Sequence, residues 1–115
     1  MGVVIFPGLR VAFDALTSRA AQLSKVALEA PPHVLGRNTT EAVQSGMIFG
    51  YASLLEGMVQ RLRVELDVPD CTVVGTGGLI TLVHPHTTVI EHLDPWLTLT
   101  GLRLISERVR GAKSI

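Results

Sequence analysis

The apolar positions of the chain form short continuous runs in some stretches and helical repeats in others, a pattern typical of an α/β domain. The run Val3–Phe6 is wholly apolar and ends at Pro7-Gly8, so it predicts a strand buried on both faces. A second strand is predicted at Cys71–Gly75, before a glycine turn and the apolar run Leu79–Val83. Because a buried strand needs neighbours on its edges, we expect the partners of Val3–Phe6 to lie upstream of Met1.

Spacings of three and four between apolar residues predict helices. The last helix begins at Asp94-Pro95, an N-cap followed by a proline at the first helical position, and ends at Gly111. We expect its buried side to carry Leu99, Leu102, Ile105 and Val109. The first helix spans Leu9–Leu23, with apolar positions at Leu9, Phe13, Leu16, Ala20 and Leu23.

A longer helix is predicted between these two. Asn38 is a favourable N-cap and Glu41 can reach back to the Asn38 amide, so the helix starts at Thr39 or Thr40 and continues to Leu66, before Pro69-Asp70. Its predicted buried face consists of Val43, Met47, Gly50, Leu54, Met58 and Leu62.

The same helix carries a row of small residues: Gly46, Gly50, Ser53 and Gly57. Glycine costs ~1 kcal/mol relative to alanine inside a helix. The row therefore predicts a second backbone packed close by, and we interpret the helix as an interface element.

The composition describes one soluble domain. The chain has 115 residues, with 10 Lys plus Arg against 10 Asp plus Glu and 47% apolar residues. Zero formal charge gives no basic face for nucleic acid. No apolar run approaches ~18 residues and no signal core is present, so we expect a cytoplasmic protein without a membrane partner. Cys71, the single cysteine, is interpreted as a buried thiol in a reducing compartment.

The histidines are weak candidates for a metal site. His84 and His86 would share a face of an extended segment, which permits metal binding, but Pro85 between them makes a surface turn equally natural. No cysteine or obvious third ligand lies nearby, so we favour ordinary loop histidines. His33 and His92 receive the same interpretation.

Other motifs also have two interpretations. Thr76-Gly77-Gly78 follows a strand, where it either lets a nucleotide approach the backbone or forms a turn that needs positive φ. Taken alone, the motif favours the turn. Asp94, Glu91 and Glu107 form an acid/base pair only if the fold joins them, and solvated charges are the favoured interpretation. Trp96 is interpreted as an anchor at a helix start and not as a stacking platform.

The order of short motifs is more informative than any of them alone. They are Gly2-x-x-Ile5-x-Pro7-Gly8, Ala20-Ala21-x-Leu23, Gly36-Arg37-Asn38-Thr39, Ala42-x-Gln44-Ser45-Gly46, Thr76-Gly77-Gly78 and Asp94-Pro95-x-Leu97-Thr98-Leu99-x-Gly101-Leu102. In this combination the chain resembles the type III pantothenate kinases, also called the Bvg accessory factor family, over nearly its whole length.

The resemblance implies an actin-like, sugar-kinase-like (ribonuclease H-like) ATPase fold. Residues 1–115 would be a single domain, the second half of a two-domain kinase. The family acts as a homodimer that phosphorylates pantothenate at the first step of coenzyme A synthesis, with ATP, Mg²⁺ and a monovalent cation, K⁺ or NH₄⁺.

The resemblance also implies roles for individual residues. Thr39 matches the threonine that contacts pantothenate in the neighbouring subunit's site. Thr76, Gly77 and Gly78 match the adenosine-side turn, and Gly2–Gly8 matches the strand that follows the second phosphate loop.

The chain departs from the family pattern at the groups that carry the chemistry. It has no Asp-x-Gly-Asn-Thr phosphate loop, no Gly-x-Asp-Arg segment and no second Asp-x-Gly-Thr loop, all of which in the family precede the position of Gly2. We therefore expect the first domain to be absent, no catalytic or metal-binding residue in the chain, and no activity of the chain alone. The alternatives are a non-catalytic regulatory protein of the Bvg accessory factor type and an unrelated α/β oligomerisation module.

Overall fold

The computed structural model describes residues 1–19 and 25–113. Along the chain the elements are α1 (Leu9–Arg19), α2 (Thr39–Leu66), β1 (Val74–Gly75), α3 (Ile80–Val83), a 3₁₀ turn (His84–His86), β2 (His92–Leu93) and α4 (Leu97–Lys113). The two strands are parallel and α3 lies between them in sequence, which confirms the mixed α/β character.

α2 begins and ends as the sequence predicts. Asn38 is extended, with φ −147° and ψ 172°, and its side-chain oxygen accepts the Glu41 N–H at 2.9 Å. At the other end Asp67 adopts the left-handed conformation, with φ 54°, which Asp tolerates better than most residues. Its N–H donates to the carbonyls of Arg63 and Val64, so the helix closes before Pro69.

The Glu41 carboxylate has a different partner from the predicted one. Its Oε2 accepts the N–H of Arg37 at 2.9 Å and not that of Asn38. The reason lies in Gly36, where a β-carbon would overlap the backbone nitrogen of Ala42 and lie 2.6 Å from its Cα. Only glycine lets the loop approach the first turn of α2 this closely, and that approach brings the Arg37 amide within reach of Glu41.

The core forms where α2 meets α1 and α3. Leu9, Ala52 and Val83 are buried against one another, and partly buried apolar residues surround them: Leu28, Met47, Tyr51, Leu55, Leu79 and Leu82. The most buried side chains of α2 are Gln44, Ser45, Ile48 and Ala52. The buried face of α2 therefore lies about one residue further along the helix than predicted. The apolar side chains of the predicted face are half-buried, and Gly50 is exposed.

The strand pair is short and tightly packed. Val74 pairs with His92 and Gly75 with Leu93. A β-carbon on Gly75 would lie 3.0 Å from side-chain atoms of Ile80 and of Ile90, so a larger residue there would press on both isoleucines.

An ion pair joins the approach to β1 to α2. Arg63 donates to the carbonyl of Cys71 at 2.7 Å and lies 3.4 Å from the Glu91 carboxylate. The same carboxylate oxygen accepts the Val73 N–H at 3.4 Å. Glu91 therefore has a structural partner and is not simply a solvated charge.

The prediction of a buried strand at Val3–Phe6 is wrong for this chain. The segment forms no strand, and Val3 and Ile5 are 85% and 88% exposed. A strand exists only where a neighbour supplies hydrogen bonds, and in residues 1–19 and 25–113 the only such pair is β1 with β2. For the same reason only Val74–Gly75 of the predicted second strand is paired. Cys71 precedes the paired part and is exposed, so the prediction of a buried thiol is also wrong.

The terminal helices differ from their predictions as well. α1 buries Leu9 and Phe13, whereas Leu16 is exposed, and the predicted positions Ala20 and Leu23 fall outside the described residues.

α4 buries none of its residues. Leu99, Leu102, Ile105 and Val109 are exposed, Ile105 by 63%, because no other described element covers their side of the helix. α4 also continues past Gly111 to Lys113, so its predicted end is wrong. Its regular part begins at Leu97, yet Asp94 still accepts the Trp96 N–H at 3.0 Å, as a cap should.

The contact at Gly36 predicts a large effect of adding one methyl group. Gly36→Ala should lower the free energy of unfolding by about 1–3 kcal/mol, because the new carbon meets backbone that cannot move aside. The measurement is urea unfolding followed by circular dichroism. Gly101→Ala on α4 is the control, since a β-carbon there meets nothing within 4 Å and alanine favours a helix. Equal effects of the two substitutions would contradict the packing argument.

Candidate functional site

The first candidate position is Thr39, the first residue of α2. Its side chain is exposed. The N-cap hydrogen bond is made by Asn38 and not by Thr39. Among residues 1–19 and 25–113 no protein group hydrogen-bonds the Thr39 hydroxyl, so the hydroxyl is open to an external partner.

The start of α2 also has the electrostatics of an anion-contacting surface. The first amides of a helix have no acceptor within the helix, and the helix dipole places partial positive charge there. Asn38 satisfies the amide of Glu41, while the amides of Thr39 and Thr40 precede the first helical hydrogen bond, Ala42 N–H to Asn38 O at 2.9 Å. The exposed guanidinium-bearing residue Arg37 is adjacent in sequence.

The second candidate is a groove of about 360 Å³ that includes the Thr76–Gly78 turn. Gly8 and Leu9 line it from the N-terminal segment, and Tyr51 and Leu55 line it from α2. The fold therefore brings the Pro7-Gly8 segment next to the Thr76–Gly78 turn, although the two are far apart in the sequence.

Tyr51 fixes the N-terminal side of this groove. Its hydroxyl donates to the carbonyl of Pro7 at 2.6 Å. The Phe6 and Tyr51 rings meet edge to face, with centroids 6.2 Å apart. Through these contacts α2 holds Pro7-Gly8 against the groove.

The glycine turn has the positive φ that its sequence suggested. Gly77 has φ 104°, a conformation that side chains disfavour, and a β-carbon on Gly77 or Gly78 would meet nothing within 4 Å. All three residues of the turn are exposed. Flat, accessible backbone of this kind allows the close approach of a planar ligand such as a nucleoside.

The two candidates lie at separate places along α2. Tyr51 follows Thr39 by twelve residues, which is about 18 Å along a helix axis at 1.5 Å per residue. The Thr39 hydroxyl is therefore not part of the groove lining.

The remaining histidine and tryptophan candidates stay apart from both places. His84 and His86 lie in the 3₁₀ turn. The His86 ring packs edge to face on the Phe49 ring, with ring centroids 5.1 Å apart. No group of three or more His, Cys, Asp or Glu in the described part of the chain is arranged to hold a metal ion. His33 is exposed, and His92 lies in β2. Trp96 is exposed, so it does not anchor the start of α4 on the core.

The acidic candidates each have a separate partner. Glu91 pairs with Arg63, Asp94 caps the start of α4, and Glu107 binds Arg103 at 2.8 Å one helical turn away. These local contacts account for all three carboxylates without an acid/base pair.

Two buried polar residues were missed by the sequence analysis. Gln44 donates to the carbonyl of Ala27 at 3.0 Å, and Ser45 donates to the carbonyl of Val34. Their position on the helix could have revealed them. They lie on the same face of α2 as the buried residues Ile48 and Ala52, where polar side chains need hydrogen-bond partners.

No helix within the described ranges is long and apolar enough to cross a lipid bilayer.

Comparison with known proteins gives consistent matches. The family model for type III pantothenate kinase matches residues 1–61. The type III pantothenate kinase of Frankia casuarinae is 48% identical over 108 residues, which is 94% of this chain and 43% of that protein. The enzyme of the same name from Streptomyces griseus is 47% identical over 109 residues, 93% of this chain and 41% of its own.

A third relative agrees. The type III pantothenate kinase of an Exiguobacterium species is 46% identical over 107 residues, 93% of this chain and 41% of its own length. The chain thus spans about two-fifths of the length of the curated relatives it matches.

The positive φ at Gly77 predicts a difference between two adjacent glycines. Gly77→Ala should destabilise the chain by about 1–3 kcal/mol, because a β-carbon is strained at that φ whatever the space around it. Gly78→Ala has equal space and no positive φ, so its effect should be much smaller. Thermal unfolding of both variants provides the comparison. A Gly78→Ala variant as unstable as Gly77→Ala would show that the φ angle is not the cause.

Proposed function

We propose, because the chain belongs to the type III pantothenate kinase family, that it is the C-terminal half of an enzyme that phosphorylates pantothenate with ATP. The observation that carries the proposal is the match of the family model to residues 1–61 together with relatives near 47% identity across the chain. The family resemblance also supports the actin-like fold, a cytoplasmic location and a place in coenzyme A synthesis.

The groove at Thr76–Gly78 is the proposed contact for the adenosine of ATP. It offers accessible glycine backbone on one side and the Tyr51 and Leu55 side chains on the other. Apolar walls with a few polar groups are typical of small-molecule sites. In this role the turn positions the nucleotide and takes no part in the chemistry.

Thr39 is the proposed contact for pantothenate. Thr39 does not cap the helix, because Asn38 performs that function. The free hydroxyl and the amides at the start of α2 offer hydrogen bonds to a substrate that carries hydroxyl groups and a carboxylate.

The phosphoryl transfer itself requires groups that this sequence does not contain. Positioning of the phosphates and neutralisation of their charge depend on phosphate loops and metal ions. The described residues hold no cluster suited to Mg²⁺, and the sequence has no family phosphate loop. We therefore place Mg²⁺ and the K⁺ or NH₄⁺ ion outside these residues and infer that the chain alone has no kinase activity.

The proposed enzyme is a homodimer in which Thr39 serves the partner's active site. One feature of α2 supports this arrangement. The small-residue row Gly46, Gly50, Ser53 and Gly57 is exposed, and a β-carbon on any of its three glycines meets nothing within 4 Å. This strip is open to the close approach of a second backbone.

Replacement of Thr39 tests the substrate contact in the full-length protein. Thr39→Ala should raise the KM for pantothenate or lower kcat, with the KM for ATP nearly unchanged. Losing one hydrogen bond corresponds to about 1 kcal/mol, or several-fold in kcat/KM. Thr40→Ala is the matched control, since Thr40 is also exposed in the first turn of α2. Steady-state kinetics and melting temperature should be measured for both, and equal kinetic effects would contradict the assignment.

Mixed dimers test whether the contact crosses between subunits. Thr39→Ala chains are combined with chains inactivated at the catalytic aspartate of the Gly-x-Asp-Arg segment. In such a heterodimer the site with an intact aspartate receives its threonine from the inactivated chain, so it should behave like wild type. If that site shows the Thr39→Ala defect, the hydroxyl acts within its own subunit.

Self-association through the small-residue row is tested in the 115-residue chain. It should sediment as a dimer at concentrations on the order of tens of micromolar, and Gly50→Leu should shift it towards monomer, because the larger side chain holds the two backbones apart. Glu56→Leu adds the same side chain at another exposed position of α2 and should leave the dimer intact. Sedimentation equilibrium distinguishes these outcomes, and a monomeric wild-type chain would exclude the proposed interface.

A further inference from the structure

The proposed function assigns no role to the buried side chains of Gln44 and Ser45. They are 6% and 8% exposed and lie in the second turn of α2. Polar groups this deeply buried destabilise a fold unless they are hydrogen-bonded. Both are bonded, and both partners are backbone carbonyls of the preceding loop.

The loop in question runs from residue 25 to residue 38 and has no regular secondary structure. Gln44 holds it at Ala27 and Ser45 holds it at Val34. The buried ring of Pro31 lies between these two attachment points. The loop is therefore attached to α2 by side chains of α2 itself.

The attachment at Val34 lies just before the segment that shapes the helix start. Gly36 sits against the backbone of Ala42, and the Arg37 amide donates to Glu41. Both contacts require residues 34–37 to stay on the first turn of α2. Helix ends fray when such contacts are missing, and Thr39 is the first residue of the helix.

We propose that Gln44 and Ser45 are positioning residues that act through Thr39. By holding the loop at Ala27 and Val34, they keep the first turn of α2 closed and the Thr39 hydroxyl at a fixed place. Neither side chain reaches substrate, because both are buried and already donate to the loop. This inference rests on the proposed role of Thr39 in binding pantothenate.

The test is a double-variant cycle in the full-length protein. Ser45→Ala removes the donor to Val34 and should raise the KM for pantothenate several-fold, with the KM for ATP within about twofold of wild type. Adding Ser45→Ala to Thr39→Ala should cause almost no further change in the pantothenate KM, because the residue that Ser45 positions is already gone.

Helix α1 offers a matched control. Ser18 donates to the carbonyl of Ala15 within α1 at 3.3 Å and is exposed, so Ser18→Ala removes a serine hydroxyl without releasing the loop. It should leave both KM values unchanged. Ser45→Thr keeps the hydroxyl and should restore most of the pantothenate affinity that Ser45→Ala loses.

A second variant keeps the test valid if Ser45→Ala does not fold. Gln44→Glu has nearly the same shape but loses the amide donor to Ala27, and it should give the same selective rise in the pantothenate KM. Gln60→Glu, at an exposed position of α2, is its control. In the Gln44→Glu variant the backbone amides of residues 34–41 should also exchange with solvent faster than in wild type. This exchange rate is a readout independent of activity.

The outcomes separate the two proposals. If Thr39→Ala raises the pantothenate KM and the position-44 and position-45 variants do not, the positioning role is wrong and the substrate contact stands. Effects that simply add to those of Thr39→Ala, or that raise both KM values equally, also overturn the positioning role, since they indicate a general structural defect. If Thr39→Ala has no effect, the proposed substrate contact fails, and the positioning role fails with it.

Discussion

The contact between Leu9, Ala52 and Val83 is the packing interaction on which the rest of the structure depends. It joins α1, α2 and α3, the three helices that contribute to the core. Each residue lies close in sequence to a part of the candidate groove: Leu9 follows Pro7-Gly8, Ala52 follows Tyr51, and Val83 ends α3, which begins two residues after the Thr76–Gly78 turn. Burial of apolar side chains therefore places Pro7-Gly8 and the Thr76–Gly78 turn on one groove.

The sequence predicts what depends on neighbours along the chain. Asn38 as the N-cap, the extent of α2 to Leu66 and the positive φ in the Thr76–Gly78 turn are all confirmed, because capping and turn conformation are determined within a few residues. The sequence does not predict which atoms approach from elsewhere. The contact of Gly36 with Ala42 and the bonds from Gln44 and Ser45 to the loop depend on how that loop folds back. The positions of these residues were visible in the family motifs, but their partners were not.

The two wrong predictions of buried apolar surface share one physical cause. Val3–Phe6 and the apolar side of α4 have the composition of buried elements, yet both are exposed. A periodic pattern identifies the face of a helix or the character of a strand, whereas burial also needs a surface to cover it. The radius of gyration of 18.1 Å, against about 13 Å expected for a compact domain of this length, reflects the same absence of covering surfaces among the described residues. Exposed apolar surfaces such as those of Val3–Phe6 and α4 are typical of regions that contact other protein.

The geometry of α2 relates the two candidate contacts to each other. A straight helix holds its ends at a fixed separation, so the Thr39 hydroxyl and the Tyr51 side of the groove cannot approach one another within a chain. Phosphoryl transfer requires the acceptor hydroxyl to lie in line with the terminal phosphate of the nucleotide. The proposed dimer would meet that requirement with the groove of one copy and the Thr39 hydroxyl of the other. The loop that Gln44 and Ser45 hold at the start of α2 would then determine where the Thr39 hydroxyl lies in the partner's site. In that proposal the two buried polar residues matter because they fix the start of the helix that carries Thr39.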